Sequence, residues 1–196
     1  MKVFSHLPSM KGLVGAALAG MWLGISGCAT VHEDTCAQFE EHRKETDYDT
    51  RYRFSESDSE TAAHNFKPMP RSAGAVVRLY KMHVDQPRIK PCHNLTIRKE
   101  VYLQRTAGTT MVVEEVREFY TAHGALIASK TEILSDQLRT SGYYLGDTPL
   151  PIPQNAPPGK YRIVSKLVMK TKGKKARSVM LARTSASFQV LALDKR

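Results

Sequence analysis

The chain has 196 residues, 41% of them hydrophobic and 24% charged, with 29 Lys and Arg against 19 Asp and Glu for a formal net charge of +10. That balance fits one globular domain with appendages and excludes collagen, a coiled coil or wholesale disorder as the dominant state. Beyond residue 27 no stretch approaches the roughly 20 apolar residues of a spanning helix, which excludes a multi-pass helical membrane protein.

Lys2 and Lys11 precede an apolar run from Gly12 to Ser26. A positive start, a short apolar stretch and small residues at its end make a secretory signal, and the run is too short for a comfortable permanent span. Met10-Lys11 would itself open such a signal, so Met1 and Met10 are both candidate translation starts. The tetrapeptide Ile25-Ser26-Gly27-Cys28 resembles the lipobox of bacterial lipoproteins. The resemblance implies cleavage before Cys28, acylation of its thiol and amine, and a membrane anchor whose acyl chains contribute about 0.8 kcal/mol per buried CH₂. Ala29 in place of Asp after the cysteine resembles the sorting pattern of outer-membrane lipoproteins, which implies that membrane; the periplasmic side is the expected one, although the lipobox itself serves both sides. An ordinary signal-peptidase site beside a free Cys28 is the competing reading. The single Trp, Trp22, leaves with the signal.

Two further cysteines, Cys36 and Cys92, have two readings in an oxidising compartment. They form one disulfide that ties the amino-terminal segment to the domain, or they stay as free thiols.

Residues 33–60 hold ten acidic and four basic residues, whereas residues 61–196 hold nine acidic and 23 basic. With the polar run Ser55 to Thr61 included, this segment has little apolar surface to offset its ordering entropy, so residues 28–73 are expected to form a lipidated, acidic, largely disordered tether. Cys36 to Lys44 suits a short, marginal helical turn. The rival expectation is that the acidic stalk folds back on the basic body, in a contact that salt would weaken.

From Gly74 the pattern alternates. Ala75 to Met82 reads as a strand, followed by a connection bearing Pro87 and Pro91. Leu95, Ile97, Val101 and Leu103 occupy every second position, interrupted only by Lys99, which argues for a half-buried strand. Thr106 to Thr110 reads as a turn, and Met111 to Tyr120 with Ala125 to Leu134 as a hairpin about His123-Gly124. Glu114, Glu115 and Glu118 favour helix there, but their β-branched and aromatic neighbours favour strand. Leu150 to Gly159 is too rich in proline for the centre of a ladder. Tyr161 to Lys170 and Ser178 to Val190 form the last hairpin, with a tip at Thr171 to Lys174. These elements predict an all-β antiparallel sandwich over residues 74–193. Pro158-Gly159-Lys160-Tyr161 leading into a long strand, a basic turn and a strand ending Ser187-Phe188-Gln189-Val190 resembles the closing hairpin of immunoglobulin-like and fibronectin-III-like domains. Tyr161 would fill a corner with its ring and tie a turn with its hydroxyl.

The sequence carries no G-x-S-x-G, H-E-x-x-H, Walker A or C-x-x-C motif and no dinucleotide fingerprint. His83-Val84-Asp85 places an imidazole and a carboxylate on one strand face, but without a nucleophile partner it reads as a solvated pair. His64, His83, Cys92 and His93 lack a compact zinc spacing, so neither a metal nor a cofactor is expected. The sequon Asn94-Leu95-Thr96 reads as chance in a bacterial lipoprotein.

The strongest surface signal is the last hairpin, where Lys166, Lys170, Lys172, Lys174, Lys175 and Arg177 occur with no acidic residue before Asp194. Such a patch attracts anionic lipid heads, envelope polymers or an acidic protein, while the plainer reading is a solvated edge that discourages aggregation. Nucleic acid is not expected, because no aromatic stacking platform interleaves the charges. The expectation is a non-enzymatic, membrane-anchored lipoprotein of the bacterial envelope whose basic hairpin meets an anionic component or partner. The alternative is an accessory subunit of an envelope-spanning machine that docks through the sandwich edges.

Overall fold

A computed structural model describes residues 36–106, 111–171 and 177–193. The elements are α1 (Cys36–Glu45), β1 (Arg51–Ser55), α2 (Glu56–Asn65), β2 (Ala75–Val84), β3 (Arg88–Ile89), β4 (His93–Arg105), β5 (Met111–Thr121), β6 (Leu126–Ile133), β7 (Gly142–Ile152), β8 (Gly159–Thr171) and β9 (Ser178–Val190). They form two sheets, ordered β1-β7-β4-β2 and β3-β9-β8-β5-β6. Every pairing is antiparallel except the two-residue parallel match of β3 with β9. The all-β sandwich of mainly antiparallel sheets read from the alternation is the fold present.

Alternation along each strand sends one set of side chains between the sheets. Leu95, Ile97, Val101 and Leu103 of β4 are buried there, opposite Val113 of β5 and Ile163 and Leu167 of β8. They do not form one continuous core. Val101, Leu103, Val113, Leu134, Tyr144 and Leu167 belong to one apolar cluster, and Leu95, Ile97, Ile152, Ile163, Phe188 and Val190 to another. Lys99, Glu115, Thr148 and Ser165 hold the inward positions between the two clusters, and all are at most 1% exposed.

The tether expectation fails within the described part of residues 28–73. Strand β1 pairs with β7 from Arg51↔Asp147 to Ser55↔Tyr143, so the sandwich begins well before residue 74. Helix α2 buries Ala62, and Phe66 just after it stacks on Tyr102 with ring centroids 5.3 Å apart. Tyr52 packs on the core and Phe54 on Tyr144, and ladder hydrogen bonding and charge pairing add to these few apolar contacts. Lys130 of β6 contacts Asp47 at 3.1 Å and Asp49 at 2.6 Å, the Thr50 N–H donates to Glu132, and Arg53 pairs with Asp147 at 3.2 Å. Cys36 and Cys92 are bridged, with Cα atoms 5.3 Å apart, and the Gln154 N–H donates to Glu40 of α1. Cys28 and its lipobox lie outside the described residues.

Two local features shape β7, and the first agrees with keeping the proline-rich stretch out of a ladder centre. Strand β7 runs through Pro149 and Pro151, paired with Thr96 and Asn94 of β4. β1 covers β7 only as far as Asp147, so beyond it β7 has one partner strand, and prolines are tolerated where a strand has an open side. Gly146 makes room for β1, because a Cβ there would come within 2.5 Å of the Tyr52 ring.

Candidate functional site

Residues with even numbers in β8 face outward from the five-stranded sheet, since Ile163, Ser165 and Leu167 face in. Lys160, Arg162, Lys166 and Lys170 therefore share the solvent face, as the sequence pattern anticipates. On the neighbouring β5, Glu114 and Glu118 face the same way and meet two of them. Lys170 Nζ lies 2.6 Å from Glu114, and Lys166 Nζ lies 2.6 Å from Glu118. Lys166 and the Tyr120 hydroxyl, which donates to Glu118 at 2.7 Å, hold that carboxyl below the ordinary glutamate range. The hairpin stem is thus partly neutralised by diagonal cross-strand pairs that the sequence does not display. Arg177 is exposed at the start of the return strand, with its N–H donating to Thr171 Oγ1. Lys172, Lys174 and Lys175 lie outside the described residues.

The outer face is more basic at the other end of β8. Arg88 of β3 is exposed beside the buried Ile89 and is in register with Gln189 of β9, which is itself in register with Lys160. Arg162 follows two residues along, opposite Ser187. These side chains line a cleft of about 640 Å³ that also includes Thr121 and Tyr161. The Arg162 guanidinium lies over the Tyr120 ring, 5.4 Å from its centroid. The Tyr161 ring stacks on Phe188 and its hydroxyl donates to the Pro157 carbonyl at 2.6 Å, closing the corner as its position implies. Arg88 escapes sequence reasoning, because a two-residue strand between Pro87 and Pro91 has no detectable period.

The polar layer between the sheets is the most heavily hydrogen-bonded cluster of the interior. Lys99 Nζ donates to Glu115 Oε1 at 2.5 Å and to Thr50 Oγ1 at 2.9 Å. Glu115 also accepts from the Tyr80 hydroxyl at 3.1 Å, from Ser165, and from Thr50 at 3.2 Å. Arg117 pairs with Glu132 beside it. Burial pulls the Lys99 ammonium down to about 8, against the opposing pull of the Glu115 carboxylate. Burial alone would raise the Glu115 carboxyl, but Lys99 and Arg117 hold it below its usual range. Burial, with the Glu115 charge added, raises the Tyr52 and Tyr80 phenols well above theirs. A lysine and a carboxylate poised in this way are chemically competent for proton transfer. Both side chains are 0% exposed, so the pair is sealed from solvent between the sheets.

His83 is exposed on the outer face of the four-stranded sheet, and Asp85 pairs with Arg98 at 2.7 Å. Cys92 is taken by its disulfide. Among the described residues no group of three His, Cys, Asp or Glu could hold a metal ion, and no helix is long and apolar enough to cross a membrane. Strand β6 is the edge of its sheet, and Leu126, Ile127 and Ile133 on it are more than half exposed.

No protein-family model matches the sequence, and no curated protein matches it significantly. Several solved structures are similar in shape. The C-terminal domain of Wzt aligns over 65% of this chain and 84% of its own, with 14% identity and a TM-score of 0.42. A CARDB domain from Pyrococcus furiosus, solved with di-metal ions, aligns over 59% and 91%, with 11% identity and a TM-score of 0.33. A family 123 glycoside hydrolase from Clostridium perfringens aligns over 74% of this chain but only 27% of its own, with 13% identity and a TM-score of 0.37. At such identities the likeness concerns the fold alone.

Proposed function

We propose that this protein is a non-enzymatic lipoprotein of the bacterial envelope, anchored through acyl chains on Cys28 in the outer membrane, whose sandwich binds an anionic envelope component. The observation that supports this reading is the charge arrangement on the outer face of the five-stranded sheet. Its two carboxylates on β5, Glu114 and Glu118, are already engaged by Lys170 and Lys166. The attraction to an anion therefore comes from Arg88, Lys160, Arg162 and Arg177, together with whatever the hairpin tip adds, and a surface of one sign concentrates ligands of the other.

The test is capture of the lipidated protein from detergent-solubilised envelopes at low and high salt. An anionic lipid or polymer released by salt is the expected result, because interactions between exposed charges are screened within about 8 Å at physiological ionic strength. Retention that is unchanged by charge reversal across the basic face would refute the reading.

A second reading, docking of an accessory subunit through a sheet edge, is favoured by the exposed Leu126, Ile127 and Ile133 on edge strand β6. It predicts a stoichiometric protein partner that survives high salt, since backbone pairing and apolar contact are little screened.

A further inference from the structure

We propose that the cleft lined by Arg88, Lys160 and Arg162 is a binding site for a phosphate-bearing ligand with at least two negative charges. It rests on the anion-binding reading above and places the binding at the end of β8 away from the hairpin tip.

The argument begins with the strand register. Arg88, Gln189 and Lys160 stand side by side across β3, β9 and β8, and Arg162 lies on the same face of β8 as Lys160. Neighbouring strands are about 4.8 Å apart, so the backbone positions of Arg88 and Lys160 are about 10 Å apart, a spacing from which two long cationic side chains can reach two phosphate groups of one ligand. Among the described residues none of the three forms an ion pair. This distinguishes them from Lys166 and Lys170 on the same strand, whose charges are matched by Glu118 and Glu114.

Three further features suit phosphate. Two of the cations are arginines, whose planar donor fork matches phosphate oxygens in a bidentate manner. Arg162 lies over the Tyr120 ring, which restricts its plane and reduces the freedom lost on binding. Gln189, Ser187 and Thr121 line the same cleft and add neutral donors between the charges.

The site is tested by titration calorimetry on the full-length, detergent-solubilised protein, with tripolyphosphate as one probe and phosphatidylcholine vesicles with or without phosphatidylglycerol as the other. Binding of tripolyphosphate with no gain from phosphatidylglycerol assigns a soluble or polymeric phosphate, and the converse assigns a lipid headgroup; either supports the site. Arg88→Glu with Arg162→Glu is expected to weaken binding by at least about tenfold, the loss of one or two charge-assisted hydrogen bonds. Lys172→Glu with Lys174→Glu and Lys175→Glu is expected to weaken it by less than about threefold, because Arg162 stands nine residues before the Thr171 end of β8, about 30 Å at about 3.3 Å per residue and well beyond the screening length. Thermal unfolding of each variant checks the fold, and Arg88→Lys, which keeps the charge but not the fork, is expected to give an intermediate loss.

Loss of binding in the hairpin variant but not in the cleft variant overturns this site while leaving the anion-binding reading intact. Failure of the unaltered protein to bind either probe overturns the phosphate assignment. Only if envelope capture also yields no salt-released anion does the reading beneath it fall.

Discussion

Replacing Lys99 by Met tests whether the polar layer of the interior works as a matched unit. Lys99 and Glu115 are both without exposed surface and lie 2.5 Å apart. Methionine fills most of the lysine volume but leaves the Glu115 carboxylate buried, facing the hydroxyls of Tyr80, Ser165 and Thr50, with Arg117 close by. Removing one partner of a buried pair costs about 3–5 kcal/mol, and three remaining hydroxyl donors place this case near about 3 kcal/mol. Against a total stability of about 5–15 kcal/mol, that is a large loss. Urea unfolding followed by far-UV circular dichroism, with the disulfide intact, measures it.

The acid limb gives a second signature. Without its countercharge the Glu115 carboxyl is expected to titrate above its unfolded value of about 4.3. A raised folded value means that stability is fully present below the unfolded value and is lost as pH rises through the folded one. The Lys99→Met deficit should therefore shrink as pH falls toward about 4.5. Converting both residues to Met should return the stability to within about 1 kcal/mol of the unaltered protein, because apolar replacement of a whole buried pair is commonly neutral. The Tyr80–Ser165 contact at 2.6 Å and the Thr50–Thr148 contact at 2.8 Å still satisfy the orphaned hydroxyls. A single variant that loses less than about 1 kcal/mol, or a double variant as damaged as the single, would refute the reasoning.

Four other outcomes are expected. In the unaltered protein burial draws Lys99 down to about 8, against about 10.4 when unfolded, so stability should rise between about pH 8 and 10; this differs from Lys99→Met because the neutral amine still donates to Glu115 and Thr50, which methionine cannot. Above about pH 10 the raised phenols of Tyr52 and Tyr80 reverse the trend, because there the folded state holds protons that the unfolded state releases; a urea midpoint flat across this range would contradict both. Reducing Cys36–Cys92, which closes a loop of 56 residues, should cost about 4 kcal/mol by chain entropy and lower the melting temperature, measured with and without reductant. Tyr161→Phe removes the hydroxyl that donates to Pro157 and should cost about 1 kcal/mol in chemical denaturation. Gly146→Ala drives a methyl into the Tyr52 ring and should cost about 1–3 kcal/mol, with proteolysis near β1 accelerating in step.

What the sequence reveals, and what it hides, follows from how each strand is buried. β4 and β8 bury one face in the core and little of the other beyond Tyr102 and Val164, so Leu95, Ile97, Val101 and Leu103, and then Ile163 and Leu167, repeat with a period of two that survives in one sequence. β1 is held by a ladder to β7 and by Asp47, Asp49 and Thr50 contacting β6. None of these interactions needs an apolar residue, so composition alone reads the segment as tether. β7 is disguised in another way: Gly146 yields to Tyr52, and Pro149 and Pro151 stand where one side of the strand is open. Both are adaptations to neighbours far away in sequence.

Lys99 is the position where the sequence already carries the information and a propensity argument discards it. A lysine in an inward register reads as an interruption of the strand, yet the period resumes on both sides of it, at Ile97 and at Val101. If the strand were broken there, the phase would have no reason to persist. An unbroken phase requires Lys99 to point inward, and an inward lysine requires a buried acid on the facing sheet. Val113 and Phe119 mark the inward positions of β5, and the same period of two places Glu115 between them, leaving Glu114 and Glu118 on the outer face. The acid that completes the interior was thus selected by register, and the two left outside became the partners of Lys170 and Lys166. One alternation therefore decides both how the core is neutralised and which cations of β8 remain unpaired on its surface.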